Sequence, residues 1–381
     1  MADPGLRHGD RFLAEYLKAF GSIHGAFTID AALLFFAYGS LVAEDGVRGP
    51  VLEIGVHQGL SAIAVAALRG PGASMVAVDT FAADRDVSAS GGMSSDERTF
   101  RANMARYHSD TGFLRVIARD SRQITASGLG HGFAFCHIDG GHSAEETYHD
   151  LALASDVAAP GALVALDDYF NPSFPGVSEG TVRFLMEHPG TLVPLAIGCN
   201  KVIFGCGGGR SDLNARFVER YPFIPRTRAT FDRHEVLVFG SGVAKYVDVE
   251  RSTPATLAAR ELVLRVDLEP RQAALEAAPG QAAALEVRVR NRSNVPLEWS
   301  DSPFGLSYHV LRSDGTSDRY ENARVWFIPP LPPGEERVMT LSVVAPDTAG
   351  ERIIEVDVVW EGICWLRERG NAAARVPLRV G

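Results

Sequence analysis

Over the first 205 residues or so, apolar and polar positions alternate between two kinds of pattern. Phe12, Leu13, Tyr16, Leu17 and Phe20 recur at helical spacing, and a second helix through Ala31–Leu41 would be capped by Thr28 or Asp30. Short unbroken apolar runs then appear at Val51–Ile54, Met75–Val78, Phe113–Ile117, Phe133–Ile138 and Ala162–Leu166. Runs of this length, bounded by turn residues, predict buried strands. Helical patterns fill the gaps at Leu60–Leu68, from Asp96 to Tyr107, after Asp139 and at Gly180–Glu187. Leu192–Ile197 and Lys201–Phe204 flank Gly198-Cys199-Asn200, which predicts a tight hairpin. This order implies an α/β doubly wound sheet with an antiparallel addition at one edge. Residues 211–220 continue as one more helix and His234–Phe239 as one more strand.

The pattern changes after Glu250–Thr256, a stretch containing Pro254 that predicts a linker. Glu261–Leu268, Ala283–Arg290, Gly305–Leu311, Glu336–Val344 and Arg352–Val359 are strand-like and are separated by Pro, Gly, Asn and Asp clusters. They predict a C-terminal all-β immunoglobulin-like sandwich. Two domains follow, 1–250 and 258–381, as a chain of 381 residues also suggests.

Composition narrows the class. Hydrophobic content of 46% and charged content of 22% are those of a globular protein, and no apolar run is long enough to span a bilayer. A net charge of −10 gives no support to nucleic-acid binding. Cys136, Cys199, Cys206 and Cys364 lack the paired spacing of a zinc site, and Cys136 falls inside a strand as an apolar filler. The N-terminus has no basic-then-apolar signal pattern, so a reduced cytoplasmic protein is expected.

The chemistry gathers at strand ends. Phe133–Ile138 ends in Asp139, and Ala162–Leu166 ends in Asp167 and Asp168, 28 residues after Asp139. Parallel strands joined by a helix share a carboxyl edge, where ligands bind in open α/β sheets. Carboxylates converging there call for a cation or a proton, and Mg2+ prefers such hard oxygens with open positions left for substrate. Asp168 is the least certain ligand, because neighbours on a strand point to opposite faces. The first strand turns through Glu53-Ile54-Gly55-Val56-His57-Gln58-Gly59, where glycines permit close backbone approach. Asp79 ends the second strand, where a carboxylate either grips the ribose hydroxyls of a nucleoside or caps a helix. His142, three residues after Asp139, is a candidate base; it could instead cap the next helix or contact metal or cofactor. His137 reads as a packed histidine and His149 as a helix-surface one.

The turn lacks the G-x-G-x-x-G of dinucleotide folds. VLEIGVHQGLS, with Asp79 and Asp120-Ser121, instead resembles the first motifs of class I S-adenosylmethionine-dependent methyltransferases. The resemblance covers about residues 30–205 and implies a Rossmann-like methyltransferase sheet. It assigns Glu53, Gly55, His57, Gly59, Asp79, Asp120 and Ser121 to S-adenosyl-L-methionine, with Asp120-Ser121 at the adenine. The acid stretch resembles metal-dependent small-molecule O-methyltransferases such as the macrocin-type sugar enzymes and catechol O-methyltransferase. That implies Mg2+ or another divalent cation on Asp139, Asp167 and Asp168, with His142 and Asp139 catalytic. The catechol-type base is a lysine, and the sugar-type base is an aspartate where this chain has Gly141, so His142 departs from both patterns. The loop Phe81–Ser95 is expected to close over the site, and Phe174-Pro175-Gly176-Val177 to form either a substrate floor or a plain connection.

The region 258–381 resembles the carbohydrate-binding β-sandwich of polysaccharide-export ABC transporters. It does so through Asn291-Arg292-Ser293, Pro332-Pro333-Gly334-Glu335, Val359-Trp360-Glu361-Gly362 and Trp365. Trp299, Tyr308, Trp326, Trp360 and Trp365 would stack on sugars or, for most of them, fill the core. The expected acceptor is thus a sugar, glycan or glycosylated small molecule, with a homo-oligomer or a polysaccharide assembly complex as partner. The alternatives are a non-catalytic glycan-binding or scaffold protein, and a hydroxylase on the same fold.

Overall fold

Thr28 Oγ1 accepts from the Ala31 amide at 3.1 Å and starts the longer of the two leading helices, α1 (Phe12–Lys18) and α2 (Ile29–Glu44). Asp30, the other capping candidate, instead receives the backbone amides of Gly242 and Ala244. Residues Ala31 to Val42 of α2 are all buried, as befits a helix apolar on every side. The computed structural model describes residues 5–81, 96–207, 211–240, 242–299, 303–361 and 363–381. The expected lid lies outside them except for Phe81.

The chain divides into two compact units, Met1–Arg260 and Glu261–Gly381. In the first, the apolar runs become β1 (Val51–Ile54), β2 (Met75–Asp79), β3 (Leu114–Ala118), β4 (Phe133–Ile138) and β5 (Ala158–Leu166), all parallel. Between and after them run α3 (Leu60–Ala66), α4 (Glu97–Tyr107), the short α5 (Ala126–Leu129), α6 (Ala144–Val157) and α7 (Pro175–Glu187). The hairpin β6 (Leu192–Gly198) and β7 (Lys201–Cys206) turns on Cys199 and Asn200, both with positive φ, which suits a two-residue primed turn. After α8 (Ser211–Arg220) come β8 (Thr227–Phe231), which the sequence pattern does not show, and β9 (His234–Phe239). The sheet order is β3-β2-β1-β4-β5-β7-β6-β9-β8. β7 is antiparallel to its neighbour β5.

Strand periodicity sorts the core. Val51 joins a cluster with residues of α2, α3 and α4 on one face, and Leu52 and Ile54 join residues of α6 and α7 on the other. The expected linker folds back as part of the first unit, with Val247 bridged to Ala259 and the Asp248 amide on the Ala258 carbonyl at 2.9 Å.

The second unit holds two sheets. One is three-stranded, β10 (Val266–Pro270), β12 (Ala282–Asn291) and β16 (Glu336–Val344), in the order β10-β12-β16. The other runs β11 (Leu275–Ala277), β19 (Ala374–Val380), β17 (Gly350–Trp360), β13 (Phe304–Arg312), β14 (Ser317–Arg319), with β15 (Val325–Trp326) on β13 and β18 (Cys364–Trp365) on β17. Tyr308 Oη donates to the Ser342 carbonyl at 3.2 Å and accepts from the Val344 amide at 2.9 Å, tying the two sheets together. Tyr308, Trp360 and Trp365 are buried, whereas Trp299 is exposed against the half-buried Trp326, ring centroids 5.0 Å apart.

Candidate active site

β1 to β5 end at one edge and deliver Gly55, Asp79, Asp120, Asp139 and Asp167 to it. Gly55 has φ 87°, and a Cβ there would lie 1.8 Å from the Asp139 carbonyl oxygen. Its lack of a side chain therefore lets the loops after β1 and β4 close together. Gly59, with φ 92°, ends the turn and precedes α3.

Glu53 does not line this edge. Residue alternation points it toward α3, and it is fully buried. Its Oε1 accepts from Ser61 Oγ at 2.5 Å and lies 2.9 Å from His137 Nδ1. Burial pushes its carboxyl up to about 8, opposed by Ser61 and Lys201, and burial pushes His137 down to about 3. Both are therefore mainly uncharged at neutral pH. They form a neutral support under the turn, with Glu53 sealed away from the open edge.

Asp79 is better placed. It is buried, with Oδ2 accepting from the His57 amide and Oδ1 from the Phe81 amide, each at 2.8 Å. Those bonds shape the turns that follow β1 and β2. His57 takes part through its backbone at φ 45°, and its Nδ1 lies 3.2 Å from the His24 carbonyl. Asp120 caps the following short turn and pairs with Arg122 at 2.6 Å, and this guanidinium holds its carboxyl below the usual range. The Ser121 carbonyl lies 3.0 Å from Nε2 of His149, which is half-buried rather than on the helix surface.

The acid cluster is arranged differently from the expectation. Asp167 and Asp168 lie just past the end of β5 and take different partners. Asp167 is buried, its Oδ1 accepting from the Asp168 amide and its Oδ2 from Lys201 Nζ. Lys201 had no role in the sequence reading. It is the first residue of β7, and an antiparallel strand brings its start to the edge where parallel strands bring their ends. Asp168 adopts φ 61°, a conformation that costs about 1–3 kcal/mol outside glycine and persists where its surroundings impose it. Here Asn171 Nδ2 and Asn200 Nδ2 donate to Oδ1 at 2.8 and 2.6 Å, and His142 Nε2 lies 3.1 Å from Oδ2. Burial alone would raise the Asp168 carboxyl; the bonds from His142 and Asn171 hold it below the usual range.

His142 is pinned a second way, stacked on Phe174 at 3.7 Å and 6°. It does not cap α6; Ser143 does, in a capping box with Glu146. Asp139 sits between the two halves, still partly in contact with solvent. Burial and then Asp167 push its carboxyl well above the usual range, with Lys201 opposing. Two groups of coordinating atoms, each within 4.8 Å, form among the described residues: Asp139, His142 and Asp168, and His137, Asp139 and Asp167. The expected trio of Asp139, Asp167 and Asp168 is divided between them. The half-buried carboxylates Asp139 and Asp168 fit a hard divalent cation, which leaves positions open for other ligands.

Strand order and edge chemistry define a methyltransferase-like α/β domain. The family described as a methyltransferase domain matches residues 52–169, under a third of the chain and the stretch that holds the glycine turn and the acids. Among solved structures, the O-methyltransferase NovP is 16% identical with a TM-score of 0.41, over 47% of this chain and 80% of that one. The O-methyltransferase from Bacillus cereus in complex with SAH is 17% identical with a TM-score of 0.35, over 52% and 90%. CalS11, a TDP-rhamnose 3'-O-methyltransferase in calicheamicin biosynthesis, is 18% identical with a TM-score of 0.36, over 51% and 93%. Values this low do not bear on activity. No curated protein matches the chain. No helix among the described residues is long and apolar enough to cross a membrane.

Proposed function

We propose that the first unit is an S-adenosylmethionine-dependent O-methyltransferase, assisted by Mg2+ or a similar ion, acting on a hydroxyl of a sugar, glycan or glycosylated small molecule. The observation that carries this is the shared edge: a glycine turn, a buried Asp79 at the end of β2, and the acid cluster, all within the stretch that matches the methyltransferase domain family.

When bound, S-adenosylmethionine would supply a methyl group on a cationic sulfur, and the ion a Lewis acid that lowers the pKa of an acceptor hydroxyl. Asp79 would accept from ribose hydroxyls, Asp120 and Ser121 would border the base, and Gly55, His57 and Gly59 would present open backbone. Asp139 and Asp168 would hold the ion. His142 has Nε2 committed to Asp168, which leaves Nδ1 to take the acceptor's proton, and the Phe174 stack fixes its ring plane. Most of the acceleration would come from positioning and from charge.

The second unit is proposed as a carbohydrate-binding or oligomerising module. The exposed Trp299 beside Trp326 supports the first of these roles.

Calorimetry with S-adenosylmethionine, with and without Mg2+, tests the cofactor. Mass spectrometry of candidate glycans incubated with isotope-labelled cofactor tests transfer. A product that gains a labelled methyl group supports the assignment; one that gains oxygen points to a hydroxylase. Absence of cofactor binding under every metal condition sinks the methyltransferase reading and favours a glycan-binding scaffold.

A further inference from the structure

A cation is already built into the site. Lys201 is 3% exposed, and its ammonium meets the Asp167 carboxylate in a pair whose two side chains are both nearly sealed from solvent. The Phe27 ring centroid lies 5.2 Å from Nζ on another side. A buried ammonium is costly unless paired, and here it is paired. The partners of Asp168 differ in kind. Two side-chain amides and an imidazole satisfy its oxygens without cancelling its charge, whereas Lys201 supplies Asp167 with a full opposing charge. A divalent ion approaching Asp167 would meet a like charge at contact range, whereas one between Asp139 and Asp168 would feel the same ammonium from farther away.

We propose that Lys201 is a positioning residue, a resident cation that cancels the charge of Asp167 and confines a bound divalent ion to the Asp139–Asp168 side of the site. This rests on the metal-assisted reading above, and its test does not depend on turnover.

Mn2+, which shares the preference for oxygen donors, is titrated alone into the full chain by calorimetry, with far-UV circular dichroism to confirm folding. Lys201→Met frees Asp167 to bind the ion and tightens Mn2+ by about tenfold or more. Lys201→Arg keeps the charge and stays within about threefold of the parent. Lys201→Met leaves a buried carboxylate unpaired and is at risk of unfolding, so the double variant Lys201→Met/Asp167→Asn, which removes both charges, is measured as well. It is expected within about threefold of the parent, because neither group then touches the ion.

A folded Lys201→Met with a smaller gain overturns the proposal. So does a double variant about tenfold or more weaker than the parent, which would make Asp167 a ligand. Absence of Mn2+ binding in every protein overturns it together with the metal-assisted step. Cofactor calorimetry on the same samples shows separately whether the methyltransferase reading survives.

Discussion

Asp150 offers a sharp test of the electrostatics beneath the site. It lies on α6, 1% exposed, and a Cβ built on Gly140 would come within 2.7 Å of its Oδ2. Burial is the main reason its carboxyl is pushed up to about 7. Ser121 opposes the shift, although its hydroxyl makes no well-formed hydrogen bond to either carboxylate oxygen. The folded state therefore keeps this proton up to about pH 7, while the unfolded chain releases it near pH 4. Stability from this group is fully present below about pH 4 and is lost as pH rises to about 7. With each pKa unit worth about 1.4 kcal/mol, the loss is about 4 kcal/mol. Asp150→Asn keeps the shape and removes the ionisation. Relative to wild type it is expected to be neutral near pH 4 and more stable by up to about 4 kcal/mol at pH 8. Urea unfolding at several pH values measures this. Two probes separate the units. Every α-helix among the described residues lies in the first unit, so far-UV circular dichroism follows it. All four tryptophans lie in the second, so their fluorescence serves as an internal control. A difference between variant and wild type that is flat across pH, or a destabilised variant at pH 8, would refute the reasoning.

Three further outcomes follow from the geometry. Gly55→Ala combines a positive φ with a methyl group aimed at the Asp139 carbonyl, so a loss of at least about 2 kcal/mol is expected in the same urea assay; a loss under about 0.5 kcal/mol would contradict the close approach of the two loops. Asp79→Asn loses a charged acceptor worth about 1.5–3 kcal/mol, so S-adenosylmethionine affinity measured by calorimetry should fall by roughly 10- to 100-fold; an unchanged affinity removes Asp79 from the cofactor site. Asp139→Asn removes a carboxyl whose ionisation the fold opposes. It should raise the melting midpoint at neutral pH, lose that advantage in acid where wild type is itself protonated, and cut methyl transfer by about 100-fold or more. An active Asp139→Asn would rule out the proposed ion site.

Much of the first unit is determined by local pattern. The strand runs ending at Ile54, Asp79, Ile138 and Leu166, the Cys199-Asn200 turn and the helix cap at Thr28 all follow from residues close in sequence, because side-chain period and turn chemistry act over a few positions. Parallel pairing then requires Asp79, Asp120, Asp139 and Asp167 to share one edge, and the sequence alone implies as much. The edge strand β8 and the strand β19 were not legible, one too exposed to form an apolar run and the other a short alternating one near the chain end. The partners of each charge were not legible either. Glu53 looked like a cofactor acid beside its glycine turn, yet alternation turned it inward onto Ser61 and His137. Asp167 and Asp168 looked like one metal pair, yet one bonds Lys201 and the other His142 and two asparagines. A lysine at the head of an apolar strand was the available signal. Its meaning depended on β7 lying antiparallel beside β5, which sets residues 34 apart in the chain against each other. Sequence determines which residues reach the edge, because that depends on strand length and direction. Which cation meets which carboxylate is decided only when non-neighbouring strands pair, since Coulomb energy depends on distances that the fold alone establishes.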